Sequence, residues 1–122
     1  MLLHLDFTID TPIYQQIRNE IVRSIAAGTL PAGGLLPPIR TLAEDLGVNM
    51  MTVSKAYGLL KQEGHIQADR RAGTRVCARR QEPLPPELRQ KLELAVSEAK
   101  VSGIQLEELL TLCRTVYEGG AV

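Results

Sequence analysis

The chain has 122 residues, 44% of them hydrophobic and 23% charged, which suffices for one small domain with an appendage and leaves no room for a separate effector-binding domain of ordinary size. Fourteen basic and fourteen acidic residues cancel overall, yet residues 47–80 hold seven Lys/Arg against two Asp/Glu, and residues 81–122 hold four against seven. A basic working surface joined to an acidic part with another task is the expectation from that asymmetry. Cys77 and Cys113 stand far apart without CxxC or histidine-ligand spacing, no apolar run approaches transmembrane length, and residues 1–9 are too interrupted for a secretory signal. These features argue against a metal site and a membrane segment, and predict a reduced, cytoplasmic protein.

Leu3, Leu5, Phe7 and Ile9 alternate with polar residues, the period of a half-buried strand or an extended arm packed on the body. His4 on its polar side has no companion ligand and receives no role. Thr11-Pro12 reads as a capping side chain followed by proline at the first helical position. Ile13, Ile17, Ile21 and Ile25 then form one apolar stripe that Gly28 closes. The Leu30-Pro31-Ala32-Gly33-Gly34 connector is rich in turn formers and lacks the GxxxxGK[ST] pattern of a nucleotide site.

Two helices joined by a tight turn follow. The first spans Pro38 to Leu46 with Ile39, Leu42, Ala43 and Leu46 on one face, and Gly47 stops it. Asn49 is a good N-cap for the second, in which Val53, Ala56, Tyr57 and Leu60 repeat the apolar spacing as far as Gly64. This is the helix-turn-helix outline, whose second helix lies in the DNA major groove. At 100° per residue its outer face carries Met51, Ser54, Lys55, Gly58 and Gln62, with Met50 at the boundary. Glycine in mid-helix costs about 1 kcal/mol against alanine, so Gly58 either marks a close approach or is merely tolerated.

Residues 65–68 and 74–78 read as two short strands around a turn at residues 69–73, so the helix pair acquires a wing. Arg70 and Arg71 at its tip and Arg75 on the return strand suit phosphate or minor-groove contacts, which add affinity and register more than base reading. Residues 81–86 are a proline-rich junction. Beyond it Leu88, Leu92, Ala95, Val96 and Ala99 form one amphipathic stripe, and Leu106, Leu109, Leu110, Cys113, Val116 and Tyr117 form another. Two such helices bury little on each other alone, so the expectation is a helical hairpin packed against a second copy; the alternative is a monomer in which they fold back onto the winged part. The predicted fold is mainly α with a small β-hairpin (α+β), divided into a winged helix-turn-helix over residues 1–80 and a helical dimerisation tail over residues 81–122.

These residues resemble the GntR family of bacterial transcription regulators. The resemblance rests on Pro12-Ile13-Tyr14-x-Gln16-Ile17, Gly28-x-Leu30, Gly33, Leu36-Pro37-x-x-Arg40-x-Leu42-Ala43, Leu46-Gly47-Val48, Thr52-Val53, Ala56, Leu60, Gly64 and Gly73-Thr74-x-Val76, about two-thirds of the chain. The short tail is similar to the YtrA-like subfamily, whose two terminal helices serve dimerisation. The resemblance implies a winged helix-turn-helix repressor of an inverted-repeat operator, often of a transporter operon and of its own promoter. It implies DNA contacts from Arg40, from Asn49, Met50, Met51, Thr52 and Ser54 at the start of the recognition helix, and from the wing at Gly73. The outer face and the wing add Lys55, Arg70, Arg71, Thr74 and Arg75. Pro38 replaces a serine frequent in relatives, and Met50 and Ser54 stand where relatives often place arginine, which removes bidentate guanine readers. Asn49 on adenine and the methionines on thymine methyls leave an A·T-leaning half-site.

The first expectation is therefore a homodimer binding double-stranded DNA. The second is a winged-helix protein-interaction module without specific DNA binding, because one fold serves several functions. Catalysis is not expected: the two histidines, two cysteines and Ser54 offer no nucleophile, base and orienting group in one constellation, and no cofactor or metal is implied. The sequence identifies no small-molecule effector, and the proline junction is where one would be sought.

Overall fold

Apolar side chains repeated at helical spacing make three of the first four elements. In the computed structural model, which describes residues 3–78 and 82–119, α1 spans Ile13–Ala27, α2 Ile39–Leu46 and α3 Met50–Gln62. The predicted stripes face inward: Ile17, Ile21, Leu42, Ala43, Val53, Ala56, Tyr57 and Leu60 are buried, with Ile13, Ile25, Ile39 and Leu46 packed at the margin. Gly28 and Gly47 end α1 and α2 with φ of 85° and 68°, the left-handed conformation that a Cβ disfavours. Asn49 caps α3 as expected, its side-chain oxygen accepting the Met51 N–H at 2.7 Å.

The wing follows directly. Strands β1 (Ile66–Asp69) and β2 (Gly73–Val76) pair antiparallel, Ile66 opposite Val76 and Asp69 opposite Gly73. Ile66 and Val76 turn into the core and anchor the hairpin on α3. The glycine-rich connector also joins β2: the Leu36 N–H donates to the Thr74 carbonyl at 2.9 Å, and the Val76 N–H donates to Gly34 at 2.8 Å. A bridge pairs Leu35 with Arg75.

Two expectations for the start of the chain are corrected. The alternating arm is no strand: Leu3 and Leu5 pack on the core, but Phe7 and Ile9 are exposed because the chain turns at Asp6. The Thr8 amide and hydroxyl both donate to Asp6 Oδ1, which makes the turn and holds the Asp6 carboxyl below the usual carboxylate range. Thr11 does not cap α1 with its side chain, and Pro12 itself stands at the N-cap. Gln16, a buried polar residue, ties down the arm instead. Its Nε2 donates to the Asp6 and Thr11 carbonyls at 2.8 and 2.9 Å, and its Oε1 accepts the Asp6 N–H at 2.8 Å.

Residues 1–79 and 80–122 form two compact units. In the second, α4 spans Pro86–Val101 and α5 spans Leu106–Tyr117. Glu87, Glu107 and Glu108 in first turns, with Lys100 and Arg114 in last turns, complement the helix dipoles, which gives three of the tail's seven glutamates a local role. Neither helix holds a buried residue. Leu88, Leu92, Val96, Leu110 and Val116 remain between 45% and 55% exposed, whereas Leu109 is half-buried and Cys113 is exposed. No helix among the described residues is long and apolar enough to cross a membrane. Arg79 and Arg80, counted in the basic stretch, and Gln81, the first residue of the proline-rich junction, lie outside the described residues.

Candidate nucleic-acid interface

Burial of one side of α3 decides what its other side presents. Tyr57, 1% exposed, donates its hydroxyl to the Pro37 carbonyl at 2.7 Å, and its burial pushes the phenol well above its usual pKa. Arg18 on α1 grips Glu63 at the end of α3 with two parallel bonds of 2.9 and 3.0 Å. These two ties orient α3, and with them Met51, Ser54, Lys55, Gly58 and Gln62 face solvent as the periodicity requires. Met51 is 78% exposed and Met50 47%. Thr52 is half-buried and, with Ile13, Tyr14, Met51, Ser54 and Lys55, lines an open groove of about 580 Å³. A Cβ at Gly58 meets nothing within 4 Å, so the fold itself does not require that glycine.

The cations differ in how far they are committed. Arg40, on the first turn of α2, is exposed and has no ion pair among the described residues, and the same holds for Arg70 and Arg71 on the wing. Lys55 has no carboxylate partner among the described residues either, but its Nζ lies over the Tyr14 ring, 4.0 Å from the centroid. Arg75 is engaged on both sides. Its Nε donates to Asp69 Oδ2 at 2.6 Å and its Nη1 to the Gly33 carbonyl at 2.7 Å. The guanidinium thus clamps the wing to the connector.

Asp69 is the residue that sequence reasoning left as an ordinary turn former. Its Oδ2 takes the Arg75 bond and its Oδ1 accepts the Arg71 N–H at 2.9 Å, so one carboxylate fixes both ends of the wing turn. Arg75 first, and then the backbone bond from Arg71, holds that carboxyl below the usual carboxylate range. An aspartate preceding two arginines in a turn is an available signal, but the choice of Arg75 as partner becomes visible only in the hairpin register. Gly73 opens β2 with φ of 101°, a backbone that only glycine adopts without strain, and Thr74 gives its carbonyl to the connector. No group of three or more metal-ligating side chains occurs among the described residues.

Comparisons with known proteins agree with this geometry. Residues 13–76 match the bacterial regulatory proteins of the gntR family. The chain is 31% identical over 112 residues to the HTH-type transcriptional repressor YtrA of Bacillus subtilis, covering 88% of this chain and 86% of that one. It is 38% identical over 86 residues to a probable rhizopine catabolism regulatory protein, MocR, of Rhizobium meliloti, but spans only 16% of that protein's length and uses 70% of its own. Among solved structures it is similar to a transcriptional antiterminator of Listeria monocytogenes, with a TM-score of 0.84 at 28% identity, covering all of this chain and 97% of that one. The wing, the capped helix pair and the matched residues converge: the chain belongs to the GntR family of bacterial regulatory proteins and is of the YtrA type.

Proposed function

We propose that the chain is a homodimeric, sequence-specific repressor that binds an inverted-repeat operator in double-stranded DNA. The observation that carries this reading is the outer face of α3, exposed along its length and carrying no carboxylate, in the same unit as Arg40, Lys55, Arg70 and Arg71, cations that have no carboxylate partner among the described residues. Met50, Met51, Thr52 and Ser54 on the first turns of α3 meet base edges in the major groove, and Asn49 orients that end. The wing arginines meet phosphates. Arg75 and Thr74 serve by holding the wing.

In this reading residues 1–80 bind DNA and residues 81–122 hold two copies together. Half-exposed leucines on helices without a buried residue support such pairing, because apolar area removed from water stabilises an interface by about 25 cal/mol per Å². Two-fold symmetry then sets two recognition helices about one or two helical turns of DNA apart, roughly 34–36 Å per turn. Occupying a promoter against polymerase requires neither an effector nor covalent chemistry.

The test is selection of bound duplexes from a random library at near-physiological salt, with sedimentation of the same sample. An enriched inverted repeat bound by a dimer supports the repressor. Absence of enrichment, with only weak salt-sensitive binding, favours the protein-interaction module.

A further inference from the structure

We infer that Tyr14 is a positioning residue that holds the Lys55 ammonium beside the recognition helix, so that Lys55 meets the DNA backbone and not a base. The inference rests on the DNA-binding reading above. Lys55 is exposed on α3, yet its Nζ leans onto the ring of Tyr14, the second residue of α1, at 4.0 Å from the centroid. Nothing acidic accounts for that posture, since Lys55 has no ion-pair partner among the described residues. The ring is itself half-buried on a helix that packs against α3, so it is the fixed member of the pair.

The choice of anchor matters chemically. A carboxylate would fix the ammonium by cancelling its charge, whereas an aromatic face holds it through the ring quadrupole and leaves the full positive charge for a phosphate. The direction matters as well. Met51 projects freely from the same helix with 78% of its surface exposed, while Lys55 is drawn sideways across the groove between the two helices. A cation at the flank of a helix inserted in the major groove faces the sugar-phosphate wall. Pre-ordering the long side chain also lowers the entropy lost when the contact forms.

The experiment is a double-mutant cycle in the full chain, read as affinity and salt slope on two duplexes, the selected sequence and a scrambled one. Lys55→Gln lowers the slope by about one counterion, roughly 0.9, on both duplexes alike. Tyr14→Leu weakens binding about threefold when Lys55 is present and causes no further loss in the Lys55→Gln background. Tyr14→Phe, which keeps the ring, binds as the parent does, and thermal melting shows each variant folded. Equal losses from Tyr14→Leu in both backgrounds would mean a general structural role and overturn the inference, as would a Lys55→Gln loss confined to the selected duplex. A parent chain that binds no duplex overturns the DNA-binding reading and this inference with it; a parent that binds while the cycle is additive overturns the inference alone.

Discussion

Asp69 bonds the Arg71 amide with one oxygen and the Arg75 guanidinium with the other, so the shape of the wing tip depends on a single charge. Because its folded-state pKa lies below the ordinary value of 3.8, the ionised form is favoured by folding. The contribution is fully present at neutral pH and is lost as pH falls through that lowered value. An acid titration followed by NMR should show the Arg75 Nε–H and the Arg71 amide shifting together below pH 3.8, and Asp69→Asn should abolish the step. Gln16 has comparable leverage at the other end of the unit. Gln16→Ala leaves the Asp6 N–H and the Asp6 and Thr11 carbonyls without their partner, at a cost of about 1–2 kcal/mol. Urea unfolding should report this as a lower midpoint with an unchanged slope. Neither residue announces its partner in the sequence, since a glutamine on a helix and an aspartate in a turn do not show that the chain brings Asp6 or Arg75 to them.

At the scale of elements, the proposed function divides the labour of binding between α3 and the wing. Reversing charge at the tip, with Arg70→Glu and Arg71→Glu together, should weaken binding to all duplexes alike and lower the salt slope by at least about 1.8, two phosphate contacts at 0.9 each. Met51→Ala should instead redistribute preference among sites with little change of slope, as competition between selected and scrambled duplexes would show. The elements that support these predictions were legible beforehand because their signals are local: apolar stripes, the glycines that end α1 and α2, the Asn49 cap and the strand–turn–strand pattern of the wing. The arm before α1 was not. Alternation of Leu3, Leu5, Phe7 and Ile9 predicts one common face, but the hydrogen bonds at Asp6 turn the chain halfway along it. The pairing of residues 34–36 with β2 was hidden too, because a connector with two glycines and a proline carries no strand signal and its partner lies some forty residues away.

For the molecule as a whole, the question is what covers the apolar faces of α4 and α5. A second copy would meet them isologously, so each substitution counts twice. Leu92→Asp or Leu110→Asp should cost the dimer about 2 kcal/mol per copy, roughly a thousandfold in its dissociation constant, and should release folded monomers detectable by sedimentation. Operator affinity should fall with the dimer because two linked half-sites become two separate binding events. A dimer unaffected by either change would move the interface elsewhere. The periodicity of this tail was plain in the sequence. Its partner was not, because an amphipathic helix specifies that it must be covered without specifying by what.

The cap on α3 has a consequence for the operator's alphabet. Oδ1 of Asn49 has one of its two lone pairs committed to the Met51 amide, so the NH₂ of that side chain is the freer group, and it can donate but not accept. The paired donor-and-acceptor match that an asparagine normally makes with adenine would require that oxygen to serve two donors at once. Adenine, guanine and thymine all show an acceptor in the major groove, whereas cytosine shows only a donor. In the DNA-binding reading proposed above, a base facing Asn49 would be read in a degenerate code that favours an edge with an acceptor and disfavours cytosine.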